Sequence, residues 1–127
     1  MAEIKWSDEQ LLAIDEKDKT ILVNAGAGSG KTAVLTERLL RKVKAGTHLK
    51  NLIVLTFTKL AASEMKERLR KVLIEASEND EKIKEELDYI DQANIQTIDA
   101  FTSELVKKYH YLLDIPANIN IIDEATF

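Results

Sequence analysis

Short continuous apolar runs alternate along this chain with longer stretches in which apolar residues recur every three or four positions. The first pattern marks buried strands and the second amphipathic helices. Ser7-Asp8-Glu9-Gln10 has the form of a capping box, with Trp6 and Leu11 placed for a hydrophobic staple, and predicts a short first helix. Thr20-Ile21-Leu22-Val23-Asn24 reads as a short buried strand that runs into a glycine cluster. From Lys31 to about Ala45 the spacing is helical, with Val34, Leu35, Leu39 and Val43 on one side and Gly46 closing the helix. Asn51 to Thr56 is a continuous apolar run, the pattern of a parallel strand covered on both faces.

A further helix is predicted from about Leu60 to Ser77, where Ala62, Met65, Leu69, Val72 or Leu73, and Ala76 recur at helical steps. Glu78 to Asp88 is highly charged, with Ile83 and Leu87 as sparse apolar positions, and reads as an exposed helical excursion. Asn94 to Ile98 predicts a third strand, followed by a helix carrying Phe101, Leu105, Tyr109 and Leu112. Pro116, the only proline, breaks the chain before a fourth extended stretch, Asn118 to Ile122. The order β-α-β-α-β-α-β with helical crossovers predicts an α/β fold with a mainly parallel sheet flanked by helices.

Length and composition narrow this picture. At 127 residues the chain fits one domain, and roughly two-thirds of its unfolded surface can be buried at that size. A hydrophobic fraction of 45% beside 31% charged residues excludes wholesale disorder. Leu52-Ile53-Val54-Leu55 is the longest aliphatic run, far short of the ~20 apolar residues of a membrane helix. Without cysteine there are no disulfides, zinc-thiolate sites or iron–sulfur clusters within the chain. His48 and His110 have no neighbour at metal-ligand spacing. The amino terminus lacks the basic and apolar regions of a signal peptide, so a cytoplasmic protein without membrane contact is expected. A net charge of −4 does not by itself mark a nucleic-acid binder. The acid is concentrated between Glu75 and Asp91, however, and Thr56 to Lys59 carries none.

Three of the four glycines fall within Ala25-Gly26-Ala27-Gly28-Ser29-Gly30-Lys31-Thr32, between a predicted strand and a predicted helix. The strict phosphate-loop pattern G-x-x-x-x-G-K-[ST] has glycine where this chain has Ala25. The chemistry survives that change, because small residues let consecutive backbone N–H groups converge on an anion at a helix start. Lys31 would bridge the β- and γ-phosphates of ATP and the Thr32 hydroxyl would coordinate Mg²⁺. G-x-G-x-x-G fails at Lys31, so a dinucleotide fold is not indicated.

Three further features, together with this loop, resemble the N-terminal motor domain of UvrD/Rep-type superfamily 1 DNA helicases, and with it a RecA-like P-loop fold. Trp6 to Ile14 looks like the family's Q motif, in which Gln10 would read adenine, since a side-chain amide both donates and accepts. Gln10 also completes the capping box, and both roles hold if the amide swings to the base when nucleotide binds. Leu55-Thr56-Phe57-Thr58-Lys59-Leu60-Ala61-Ala62-Ser63-Glu64-Met65-Lys66-Glu67-Arg68 resembles the motif T-F-T-N-x-A-A-x-E-M-x-x-R, which contacts single-stranded DNA in that family. Thr56, Phe57 and Thr58 match it. Lys59 replaces the usual asparagine and adds a possible phosphate partner. Ala61, Ala62 and Met65 read as helix packing, and Glu64 with Arg68 as an i, i+4 surface pair. Ile95 to Phe101 resembles the later DNA-contacting motif T-[IL]-H-S-F, carrying Thr97 over. Asp99, where histidine is common, reads as a helix N-cap, and Phe101 as core.

Within the family the chain looks most like the AddA-type helicase–nuclease subunits of bacterial recombinational repair. The resemblance implies single-stranded DNA and duplex ends as substrates, a second, AddB-like protein as partner, and a nuclease function in a longer parent. Ile119-Asn120-Ile121-Ile122-Asp123-Glu124 resembles a Walker B strand. It reads as a decoy, because in the resembled family the true Asp-Glu motif follows an inserted subdomain. These residues are therefore expected to be an N-terminal segment, 1–127, that hydrolyses ATP negligibly when alone. Two alternatives stay open, a small P-loop kinase and a non-catalytic ATP-binding module. The kinase is the weaker, since Glu78 to Asp88 holds two lysines but no lid arginine.

Overall fold

A computed structural model describes residues 3–28 and 30–118. Its elements are α1 (Asp8–Asp15), α2 (Lys31–Lys44), β1 (Ile53–Thr56), α3 (Lys59–Ser77), α4 (Glu81–Leu87), β2 (Asn94–Thr97) and α5 (Ile98–Tyr109), with short 3-10 turns at Leu49–Asn51, Ile90–Gln92 and His110–Leu112. The architecture is mixed α/β. β1 and β2 form a parallel two-stranded sheet in the register Ile53↔Asn94 through Thr56↔Thr97, joined by the α3–α4 crossover.

Local signals set the helix limits. Ser7 and Gln10 close the capping box at α1: the Gln10 N–H donates to Ser7 Oγ and the Ser7 N–H to Gln10 Oε1, at 3.2 and 2.9 Å. Gly46, at φ +103°, ends α2 in a Schellman arrangement, with Thr47 N–H on the Lys42 carbonyl and Gly46 N–H on that of Val43. Thr58 caps α3 and Asp80 caps α4.

The core lies between α2, α3, α4 and one face of the sheet. Leu39, Leu40 and Val43 meet Met65, Leu69 and Leu73, with Leu49, Val54, Ile83, Ile90 and Ile95 closing around them. The α3 stripe is buried as its spacing predicts. In α2 the buried side is rotated by one position: Thr36 and Leu40 are inside, whereas Leu35 is exposed.

Three expectations are corrected. The acidic stretch is not an exposed excursion, because α4 inserts Ile83 fully into the core and turns its charges outward except Glu86, which is partly buried against the Leu49 N–H. β1 is covered on one face only, with Val54 inside and Ile53 and Leu55 exposed. Thr20 to Asn24 forms no strand: a strand needs a neighbour to take its N–H and C=O groups, among the described residues β1 and β2 pair only with each other, and Leu22 is 95% exposed. The stretch predicted beyond Asn118, with Asp123 and Glu124, lies outside the described residues, as does Ser29.

Candidate functional site

The glycine cluster opens directly into α2. Gly28 and Gly30 take φ of +76° and +79°, the left-handed region where a side chain is strained, and Gly30 is the residue before the helix. Among the described residues no side chain caps this end of α2, and the first-turn N–H groups have no partner within the helix. Lys31 and Thr32 are exposed there. Lys31 takes part in no ion pair among the described residues.

The capping-box helix stands beside this loop. A Cβ placed on Gly30 would sit 3.5 Å from Gln10 Nε2, so the two segments touch. Between them is a cavity of about 300 Å³, lined by Ser7, Glu9 and Gln10 of the first segment and by Asn24, Ala25 and Lys31 of the second, with Val23, Ala13 and Val34 as apolar walls. Glu9 is the one carboxylate lining it among the described residues. A more open hollow of about 590 Å³ along α1 is lined by Asp8, Leu11, Leu12, Asp15, Glu16 and Lys17 and includes no residue of the glycine loop among those described.

Two arginines of α2 fix α1 in place. Arg38 Nη1 donates to the carbonyls of Ala13 and Ile14 at 2.9 and 3.2 Å. Arg41 Nη1 donates to both carboxylate oxygens of Asp15 at 2.9 Å, and its Nε to Glu37 at 2.8 Å. The hydrogen bond to Glu37 holds the Arg41 guanidinium further above its ordinary range and, with Asp15, outweighs the effect of burial. Sequence spacing does not single these arginines out. The available signal is the absence of any basic residue in the last turn of α1, which leaves its carbonyl end to be met from elsewhere.

The second group of candidates gathers at the carboxyl ends of the strands. Thr56 and Thr97 are register partners, and α3 and α5 begin just beyond them. Thr56 Oγ1 donates to the Thr58 carbonyl at 2.9 Å, and Thr58 Oγ1 accepts from Ala61 N–H at 3.1 Å. Phe57, between strand and helix, is 93% exposed, and Lys59 is exposed beside it. Thr97 is buried and caps α5, its Oγ1 accepting from Ala100 N–H at 3.1 Å. The cap is therefore Thr97 and not Asp99, which sits within the first turn. Phe101 is half-buried, and α5 has no fully buried residue. Glu64 and Arg68 form no ion pair; on that helix Arg70 pairs with Glu67 and Asp91.

One buried hydroxyl links the two groups. Thr36 Oγ1 donates to the Thr32 carbonyl at 2.8 Å and lies 3.8 Å from Met65 Sδ. Met65 is seven residues beyond Thr58, roughly 10 Å along α3. Among the described residues no three His, Cys, Asp or Glu side chains group as a metal site, and no helix is long and apolar enough to cross a membrane.

Residues 6–127 match the family described as the UvrD/REP helicase N-terminal domain. The chain is 40% identical over 125 residues to an ATP-dependent helicase/nuclease subunit of Lactobacillus johnsonii, covering 96% of this chain and 10% of that protein. The equivalent helicase/nuclease subunits of Lactobacillus acidophilus and Heliobacterium modesticaldum are 41% and 42% identical, over 96% and 95% of this chain and 10% and 9% of theirs. The chain thus spans about one tenth of the length of the curated relatives it matches.

Proposed function

Because the chain belongs to the UvrD/REP helicase N-terminal domain family, we propose that it is the ATP-binding segment of an AddA-type DNA helicase–nuclease subunit, with a RecA-like P-loop fold. The observation that carries this reading is the shared cavity: Gln10 and Lys31 line one space of about 300 Å³, with the Gln10 amide against Gly30. A base-reading amide standing beside a phosphate-holding loop is the combination a nucleoside triphosphate requires.

The residues fit ATP and Mg²⁺. Left-handed Gly28 and Gly30 let the backbone approach an anion closely, and the uncapped start of α2 adds its N–H groups and positive end. In the loop from Ala25 through Gly26, Ala27, Gly28, Ser29 and Gly30, Lys31 would neutralise phosphate charge and the Thr32 hydroxyl would ligate the metal. With no carboxylate cluster to hold it otherwise among the described residues, the metal would arrive with the phosphates. When bound, nucleotide and metal supply the transferable phosphoryl group and its charge neutralisation. Gln10 would orient the base, and the apolar walls would exclude water beside it.

Phe57, fully presented at the strand ends, suits stacking on a nucleobase. Thr56, Thr58 and Lys59 beside it, with the Thr97-capped start of α5, suit a sugar–phosphate backbone. For the whole protein we propose translocation on single-stranded DNA, unwinding from duplex ends and association with a second helicase–nuclease subunit. ATP and a short oligothymidylate, titrated separately onto the chain, test the reading. Binding of both, with ATP affinity lost in Lys31→Ala, supports it. ATP binding alone would favour a kinase or an ATP-binding module, and an unchanged ATP affinity in Lys31→Ala would refute the phosphate site.

A further inference from the structure

α1 has only eight residues, and a helix of that length has no stable orientation of its own. Its start is held by the capping box. Its end has no basic residue in the last turn and therefore depends on α2. There Arg38 supplies the cation that a helix carboxyl end favours, and it satisfies the Ala13 and Ile14 carbonyls that have no partner inside the helix. Arg41 adds the fork onto Asp15, and Ile14 is buried beneath. Arg38 stands two helical turns after Lys31, and Gln10 one turn before Ile14. Loop, α2, Arg38 and α1 thus form a closed ring that is completed where Gln10 meets Gly30.

We propose that Arg38 is a positioning residue for base selection: by fixing the carboxyl end of α1 to the phosphate-loop helix, it sets where the Gln10 amide stands relative to the phosphates. The inference rests on the reading of Gln10 as the adenine contact. Arg38 itself does not line the cavity among the described residues. A shift of α1 would leave the loop's phosphate grip intact and misplace only the amide. Hydrogen-bond recognition is lost steeply with misalignment, so discrimination between bases would fail before affinity for phosphate does.

The test compares dissociation constants of the chain for ATP, GTP and inorganic triphosphate in Arg38→Met, Arg38→Lys, Asp15→Asn and Gln10→Ala. In Arg38→Met the preference for ATP over GTP should fall about three- to tenfold, the worth of one hydrogen bond, towards that of Gln10→Ala, with triphosphate affinity unchanged. Arg38→Lys should restore part of the preference, because an ammonium still donates to both carbonyls. Asp15→Asn should lose less, in the same direction. Preference retained in Arg38→Met but lost in Gln10→Ala would overturn the positioning role alone. Preference retained in Gln10→Ala would remove the adenine reading and the inference with it. A parallel fall for all three ligands in Arg38→Met would make Arg38 a residue of the fold and refute base selection through it. Should Arg38→Met fail to fold by circular dichroism, Arg38→Gln is read in its place, and an unchanged preference there overturns the proposal.

Discussion

Phe57 offers the sharpest separation of function from stability. The side chain is 93% exposed, so truncation to alanine removes almost no buried surface. Taking about 200 Å² for a phenylalanine side chain, the covered remainder is roughly 15 Å², worth about 0.4 kcal/mol at ~25 cal/mol per Å². Stacking of one base on an aromatic ring contributes about 1–3 kcal/mol, which is roughly a 5- to 150-fold change in affinity. Phe57→Ala should therefore weaken oligothymidylate binding by that factor and leave the urea midpoint almost unmoved. Fluorescence anisotropy at a fixed salt concentration reads the first, and circular dichroism in urea the second. The slope of affinity against salt should stay the same, because no charge is removed. An unchanged affinity would refute the stacking role. A fall in affinity matched by a loss of stability beyond about 1 kcal/mol would instead show that the exposure argument is wrong.

Ile83→Ala should destabilise the chain by about 2–4 kcal/mol, since three buried carbons are removed and a cavity is left; the exposed neighbour Lys82→Ala should stay within about 0.5 kcal/mol, and equal losses in denaturant would place α4 outside the core. Gly30→Ala should lose about 1–2 kcal/mol from left-handed strain without a steric clash, its Cβ being 3.5 Å from Gln10 Nε2; an unchanged thermal midpoint would argue against that backbone conformation. For Glu86, burial pushes the carboxyl up, but the Leu49 N–H, His48 and the nearby Lys50 outweigh it and leave the group below its ordinary value. A lowered folded value means stability present above the unfolded carboxylate range and lost as pH falls from there through the lowered folded value, so Glu86→Gln should flatten the acid limb of a stability–pH curve, and an unaltered limb would exclude this contribution. Finally, ATP turnover by the 127-residue chain should not exceed that of Lys31→Ala in a coupled phosphate assay, because Glu9, the only carboxylate lining the cavity among the described residues, stands on α1 beside Gln10; robust DNA-stimulated turnover would contradict this.

Helices are legible in the sequence because their information is local. The Ser7–Gln10 box, Gly46 and the α3 stripe each act within a turn or two, and each stands where its spacing places it. Strands are legible only as far as their partners are present. Ile53 to Thr56 and Asn94 to Thr97 find each other across 41 positions, whereas Thr20 to Asn24 has comparable apolar character and no neighbour to pair with among the described residues. The acidic stretch reads as exposed because its composition hides one isoleucine: a helix needs few apolar residues to dock when the hole they fill is deep. The candidate site divides in the same way. The residues of the loop and of the two strand-end motifs are contiguous in sequence, so their spacing names them. Arg38, Arg41 and Thr36 escape it, because their partners lie 24 to 29 positions away and only the folded chain brings them together.

The half-covered sheet has a practical consequence for anyone handling this chain by itself. Parallel sheets are ordinarily clad on both sides, yet Ile53 and Leu55 face outward, and Leu22 stands bare on the unpaired stretch before the loop. Open strand edges beside apolar side chains invite intermolecular pairing, and a net charge of −4 gives only modest repulsion against it. Shelf life in concentrated solution is then limited by colloidal behaviour more than by unfolding. Light scattering should climb with protein concentration well below the melting temperature, and Leu22→Lys should slow that climb without shifting the melt.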